Sequence, residues 1–123
     1  MSSSRKPFAR ISSRGNPKWS ADIFKNSGTV TLGRHPNTTI VLDDLQISMK
    51  HASLEHSVDE HGHRIVTLIE SSTNGTIVGD TRLEKGDRLV LNPGDEIILP
   101  CQDESRRLDY TFLFESLFVV FAF

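Results

Sequence analysis

The chain carries a single cysteine, Cys101, so no disulfide framework can form within it, and a reducing intracellular compartment is the expectation. Long apolar runs are missing. The longest, Leu117–Phe123, falls far short of the roughly 20 residues a membrane helix needs, so no membrane association is expected. The basic, serine-rich start Met1-Ser2-Ser3-Ser4-Arg5-Lys6 leads into no apolar stretch, which argues against a secretory signal. Helical patterning is nearly absent. Only Ser20–Lys25 reads as one capped helical turn, ended near Gly28. No internal repeat and no protein-kinase motif is visible. With a net charge of −2, the whole molecule is no general nucleic-acid binder.

Acids are scarce in one region. None occurs between Asp22 and Asp43, and none between Asp44 and Glu55. Residues 1–50 hold eight bases against three acids, whereas residues 51–123 hold six bases against thirteen acids. The basic half therefore contains a local positive field that the net charge conceals.

What the chain has in quantity is short β-patterned segments. Its 123 residues suit one domain. Phe8–Ile11, Thr29–Leu32, Thr39–Leu42, Ala52–Glu55, Arg64–Ile69, Thr76–Val78, Thr81–Leu83, Arg88–Leu91, Glu96–Leu99 and Tyr110–Phe114 are all rich in β-branched, aromatic or alternating apolar residues. Turn residues separate them. Asp59–Gly62 and Gly79-Asp80 predict hairpins, and Asn92-Pro93-Gly94-Asp95 predicts a type II turn. Strands spaced in this way predict an all-β sandwich or barrel. Residues 1–7 are expected to form a disordered arm, 8–116 the folded domain, and 117–123 an apolar extension.

Three acid-free loops sit at the ends of these strands. They hold Gly33-Arg34-His35, Ser48-Met49-Lys50-His51 and Ser71-Ser72-Thr73-Asn74-Gly75-Thr76. Arg supplies a planar fork that grips two phosphate oxygens, Lys adds a point charge, and hydroxyls and exposed backbone N–H groups fill the remaining lone pairs. Taken singly, each loop is as well explained as a solvated turn. Together they point towards an anion site, with a set of solvated turns as the alternative.

Enzyme readings fare worse. Gly28–His35 nearly matches a nucleotide-binding phosphate loop, but Arg34 replaces the lysine, His35 replaces the magnesium-binding hydroxyl, and the intervening residues read as strand. Ser48 and His51 lack a nucleophile elbow and a third partner. His51, His56, His61 and His63 have no cysteine or carboxylate at metal-binding spacing, which leaves them as solvated histidines with no metal and no cofactor.

The order Gly33-Arg34, Ser48-x-x-His51, Ser72-Thr73-Asn74-Gly75, with Pro93-Gly94-Asp95-Glu96 further on, resembles the forkhead-associated (FHA) domain pattern, in particular that of checkpoint-kinase N-terminal FHA domains. The resemblance covers about residues 8–116. It implies a β-sandwich of about eleven mostly antiparallel strands with ligand loops at one end, and a non-catalytic module that binds phosphothreonine in a partner protein. By position, Arg34, Ser48, Lys50 and Thr73 would contact the phosphate and Asn74 the ligand backbone. Gln46 and Met49 would influence which peptides fit. Gly33, His51 and Gly75 would shape the loops, with His51 holding the loop that carries Arg34. Two positions depart from the pattern. Met49 stands where Arg or Asn is frequent, and Gln46 stands where some members carry an Arg that selects an acidic residue three places after the phosphothreonine. The resemblance further implies a monomer working in intracellular, nuclear, checkpoint-type signalling. The alternative is a sandwich that binds partners without phosphate, through a sheet face or through Phe118–Phe123.

Overall fold

A computed structural model describes residues 6–117. The expectations placed on residues 1–5 and on the apolar end at 118–123 lie outside the described residues. The structure is all-β apart from one 3-10 turn, Glu104–Arg106. Its strands are β1 (Ala9–Ser13), β2 (Ser20–Ile23), β3 (Val30–Gly33), β4 (Ile40–Val41), β5 (Ala52–Val58), β6 (Arg64–Glu70), β7 (Thr76–Val78), β8 (Thr81–Leu83), β9 (Arg88–Val90), β10 (Glu96–Ile98) and β11 (Thr111–Ser116).

They form two sheets, ordered β2-β1-β11-β10-β7-β8 and β4-β3-β5-β6-β9. All pairings are antiparallel except β3 with β4, which run parallel. Alternation along the strands decides which side chains face inward. Ile11, Val78, Ile97, Phe112 and Phe114 from one sheet meet Leu32, Leu54, Val66 and Leu68 from the other, all buried in one core. At the inward position after Val66 and Leu68, β6 places Glu70, a carboxylate where the alternation calls for an apolar residue.

The expected hairpins form. β5 and β6 pair over Ala52–Val58 and Arg64–Glu70, and the Asp59 carboxylate caps their turn by accepting from the N–H groups of His61 and His63. β7 and β8 pair around Gly79-Asp80. The Asn92–Asp95 turn closes through Asp95 N–H to Asn92 O at 3.0 Å, with Gly94 at φ +93° as a type II turn requires. The strands it joins, β9 and β10, lie in different sheets, so this turn carries the chain across the sandwich.

The helical turn expected at Ser20–Lys25 is overturned. Ser20–Ile23 is strand β2, paired with β1 from Ala9↔Ile23 to Ser12↔Ser20. So short a helix would close too few hydrogen bonds to offset its nucleation, while an edge position on β1 satisfies the backbone and buries Ile23. The strand expected at Thr39–Leu42 is shorter in the structure, Ile40–Val41, with Leu42 N–H closing the parallel pairing on Gly33 O at 2.8 Å.

Candidate functional site

The three acid-free loops come together at one end of the sandwich. They lie within the β3–β4, β4–β5 and β6–β7 connections, the second of which also carries Asp43 and Asp44 ahead of its acid-free part. The first two are fused by close backbone contact. Arg34 N–H donates to Ser48 O and His35 N–H to Met49 O, each at 3.1 Å. Gly33 makes that approach possible, since a Cβ there would stand 2.1 Å from Met49 O.

Arg34 is half-buried, and its Nε donates to Ile47 O at 2.6 Å. That bond orients the guanidinium and leaves its two terminal nitrogens without a protein partner among the described residues. Ser48 Oγ accepts from Thr73 N–H at 3.0 Å, which ties the second loop to the third and leaves the hydroxyl proton to donate outward. Lys50 and Thr73 are exposed, and neither side chain has a hydrogen bond or ion pair among the described residues. Asn74 Nδ2 donates to Gln46 O at 2.9 Å and to Gln46 Oε1 at 3.1 Å, so its own Oδ1 stays open to a donor. Gln46 therefore orients Asn74.

His51 is fully buried, not solvated. Its Nδ1 accepts from Ser48 N–H at 3.1 Å, and its Nε2 lies 3.0 Å from Gly75 O. These two bonds fix a neutral ring with the proton on Nε2, donating to Gly75. Burial pushes its pKa down, against the raising effect of the Gly75 carbonyl. The imidazole thus spans the Ser48 and Gly75 loops. The Arg34 loop, which the resemblance implies His51 holds, is joined to the Ser48 loop by Arg34 N–H to Ser48 O and by Arg34 Nε to Ile47 O. Gly75 sits at φ +86°, a left-handed conformation, with its N–H donated to Ser72 Oγ at 2.8 Å.

The two acids that interrupt the basic region are tied back. Asp43 accepts from Tyr110 Oη at 2.5 Å and from Arg106 at 3.3 Å. The Tyr110 hydroxyl and the Arg106 charge hold its carboxyl below the usual range. Asp44 accepts from Gln46 N–H at 2.8 Å and from Gln102 N–H at 2.9 Å. Both carboxylates anchor the β4–β5 loop to the long β10–β11 loop.

Two features escaped the sequence. Arg82 of β8 donates to Asn74 O at 2.9 Å, although nothing in its local pattern marks it. Beside it, a cavity of about 220 Å³ opens between Asn74 and the β10–β11 loop, lined by Arg82, Ile98, Pro100, Cys101 and Arg107 among others. Burial and neighbouring acids push the Cys101 thiol up, which favours its protonated form. Among the described residues no cluster of three or more His, Cys, Asp or Glu could hold a metal, and no helix is long and apolar enough to cross a membrane.

Residues 30–100 match the family described as FHA domain. A probable serine/threonine-protein kinase of Dictyostelium discoideum, fhkE, is 33% identical over 98 residues, which is 79% of this chain and 14% of the kinase. The DNA damage response protein kinase DUN1 of Saccharomyces cerevisiae is 33% identical over 76 residues, or 59% of this chain and 15% of that one. The oxoglutarate dehydrogenase inhibitor of Corynebacterium efficiens is 37% identical over 81 residues, 66% of this chain and 52% of the inhibitor. The chain therefore spans about a seventh of these kinases and about half of the inhibitor. Among solved structures, the MEK1 FHA domain in complex with the HOP1 pThr318 peptide superposes with a TM-score of 0.72 at 20% identity, covering 91% of this chain and 99% of that one. The N-terminal FHA domain of S. cerevisiae Rad53p, in complex with a phosphothreonine peptide, gives 0.69 at 24% identity over 89% and 93%. At these identities the likeness is one of fold.

Proposed function

The chain belongs to the FHA domain family, and on that premise we propose that it is a non-catalytic module, spanning residues 8–116, that binds phosphothreonine in a partner protein. One observation carries the reading. The Arg34 guanidinium is oriented by Ile47 O with its terminal nitrogens unspent, and it shares the loop cluster with the Ser48 hydroxyl proton, Lys50 and Thr73. The acids of that cluster, Asp43 and Asp44, are bound elsewhere. A dianionic phosphate meets donors there and no free carboxylate.

Arg34 and Lys50 supply charge, Ser48 and Thr73 supply hydroxyl donors, and Asn74 Oδ1 receives a backbone N–H of the peptide. Leu45 and Met49 are 72% and 45% exposed on the same loop. They give the neighbouring peptide residues an apolar surface, with Met49 where the family pattern often carries Arg or Asn. The peptides of the MEK1 and Rad53p complexes support a phosphothreonine ligand here. We place the module, as a monomer, in a nuclear, checkpoint-type protein, and the likeness to the DNA damage response kinase supports the checkpoint-type setting.

The test is fluorescence anisotropy with one peptide in phosphothreonine, phosphoserine and unmodified forms. The phosphothreonine form is expected to bind tightest and the unmodified form at least about a hundredfold weaker, since two or three charge-assisted bonds are each worth roughly 1.5–3 kcal/mol. Arg34→Ala should lower affinity by at least about tenfold while leaving the β-sheet circular dichroism unchanged. Equal binding of all three peptides would favour the phosphate-independent sandwich instead.

A further inference from the structure

The peptide group that joins Asn74 to Gly75 is held at both of its polar ends. Its carbonyl, Asn74 O, accepts from Arg82 Nη2 at 2.9 Å. Its N–H, that of Gly75, donates to Ser72 Oγ at 2.8 Å. The two partners come from different elements. Ser72 belongs to the β6–β7 connection and is itself fixed, because its hydroxyl donates to the buried Glu70 carboxyl. Arg82 lies on β8, opposite Ile77 of β7, at the edge of its sheet.

This peptide group needs holding because a glycine follows it. Rotating a peptide plane changes the φ of the next residue, and an L side chain bars most of the positive range. Gly75 has no such barrier and sits at φ +86°. The missing side chain also makes room for the guanidinium: a Cβ on Gly75 would stand 2.9 Å from Arg82 Nη2 and 3.1 Å from its Cζ. The other bonds around the turn act on neighbouring groups. Thr73 N–H goes to Ser48 Oγ, Asn74 Nδ2 goes to Gln46, and Gly75 O meets His51 Nε2. None of these grips the Asn74 carbonyl. The other contact of Arg82, Glu84 Oε1 at 3.7 Å from Nε, joins two exposed side chains and restrains the arginine little.

We propose that Arg82 is a positioning residue for the phosphothreonine site: its guanidinium locks the Asn74–Gly75 peptide plane and so keeps the Asn74 side chain aimed at the ligand backbone, without touching the ligand. The inference rests on the phosphothreonine reading. Ser72 and Arg82 act as a pair, one on each end of the plane, and removing either end frees the glycine to turn.

The experiment is a double-mutant cycle in phosphothreonine-peptide affinity, read by fluorescence anisotropy on the intact chain, Arg82→Ala, Asn74→Ala and the double variant. Arg82→Ala alone should weaken binding by about three- to tenfold, the scale of one charge-assisted hydrogen bond. In the Asn74→Ala background the same change should cost less than about twofold, because the side chain to be aimed is gone. An equal loss in both backgrounds would show that Arg82 meets the ligand or acts through its charge, and would overturn the inference. Unchanged affinity of Arg82→Ala would overturn it too. Amide hydrogen exchange of the free chain gives a readout without ligand. In Arg82→Ala the Gly75 N–H should exchange at least about tenfold faster, while Leu54 and Leu68 in the core keep their rates. No change at Gly75, or the same rise at all three, would refute the lock. Failure of every phosphopeptide to bind would sink the phosphothreonine reading itself, and the Gly75 exchange rate would still decide whether Arg82 holds the plane.

Discussion

At the scale of single residues, the acids carry the most information. The sequence shows a basic region interrupted only by Asp43-Asp44, and charge counting alone would place two carboxylates among the candidate phosphate donors. Their partners resolve this. Asp43 is spent on Tyr110 and Arg106, and Arg106 itself packs over the rings of Trp19 and Tyr110 at 5.6 and 5.3 Å. Tyr110 is fully buried, and burial together with Asp43 pushes its hydroxyl pKa well up, so it serves purely as a donor. Tyr110→Phe should lower stability by about 1–2 kcal/mol in urea unfolding, less than a fully buried charged bond because the Asp43 side chain is 65% exposed. The same variant should weaken phosphopeptide binding, since a freed Asp43 carboxylate returns to the loop cluster. An unchanged affinity would show that the anchoring has no bearing on the ligand.

The elements show a different division. Long, strongly alternating segments such as Arg64–Ile69 and Tyr110–Phe114 were legible because burial on one sheet face imposes period two on the sequence. The short edge segment before β3 was not. Ser20–Ile23 carries too few residues to declare a period, and its pairing with β1 made it a strand. Loops were legible in composition and order but not in connection. Arg34, Ser48, Lys50, Thr73 and Asn74 occupy one end of the sandwich as their order implied, yet the Gln46–Asn74 and Ser48–Thr73 bonds link residues 28 and 25 apart, which no local pattern encodes. Gly33 is where element and site meet. Gly33→Ala would force β3 away from Met49 O and break the two backbone bonds that fuse the first loops. A loss of about 1–3 kcal/mol in stability is expected, of the size seen for overpacking. A drop in phosphopeptide affinity of at least tenfold should accompany it, read by anisotropy at a temperature where the variant remains folded.

For the molecule as a whole, binding and folding are coupled, because the loop cluster exists only when both sheets are closed. A phosphothreonine peptide at a hundred times its Kd should stabilise the fold by about 2.7 kcal/mol. For a domain of this size that raises Tm by several degrees in calorimetry. The unmodified peptide should leave Tm where it was, and equal shifts from both would contradict phosphate-dependent binding. The amino-acid order by itself determined the all-β class, the hairpins, the loops that hold the candidate donors and the family resemblance, because alternation, turn residues and motif spacing are local properties. It could not determine which charges are free. That depended on Tyr110 reaching Asp43 from 67 residues away, on Arg82 reaching Asn74, and on a carboxyl at position 70 being enclosed among His51, Ser72 and Thr76. Free charge in a protein is what remains after tertiary pairing and burial, and only the closed sandwich fixes both.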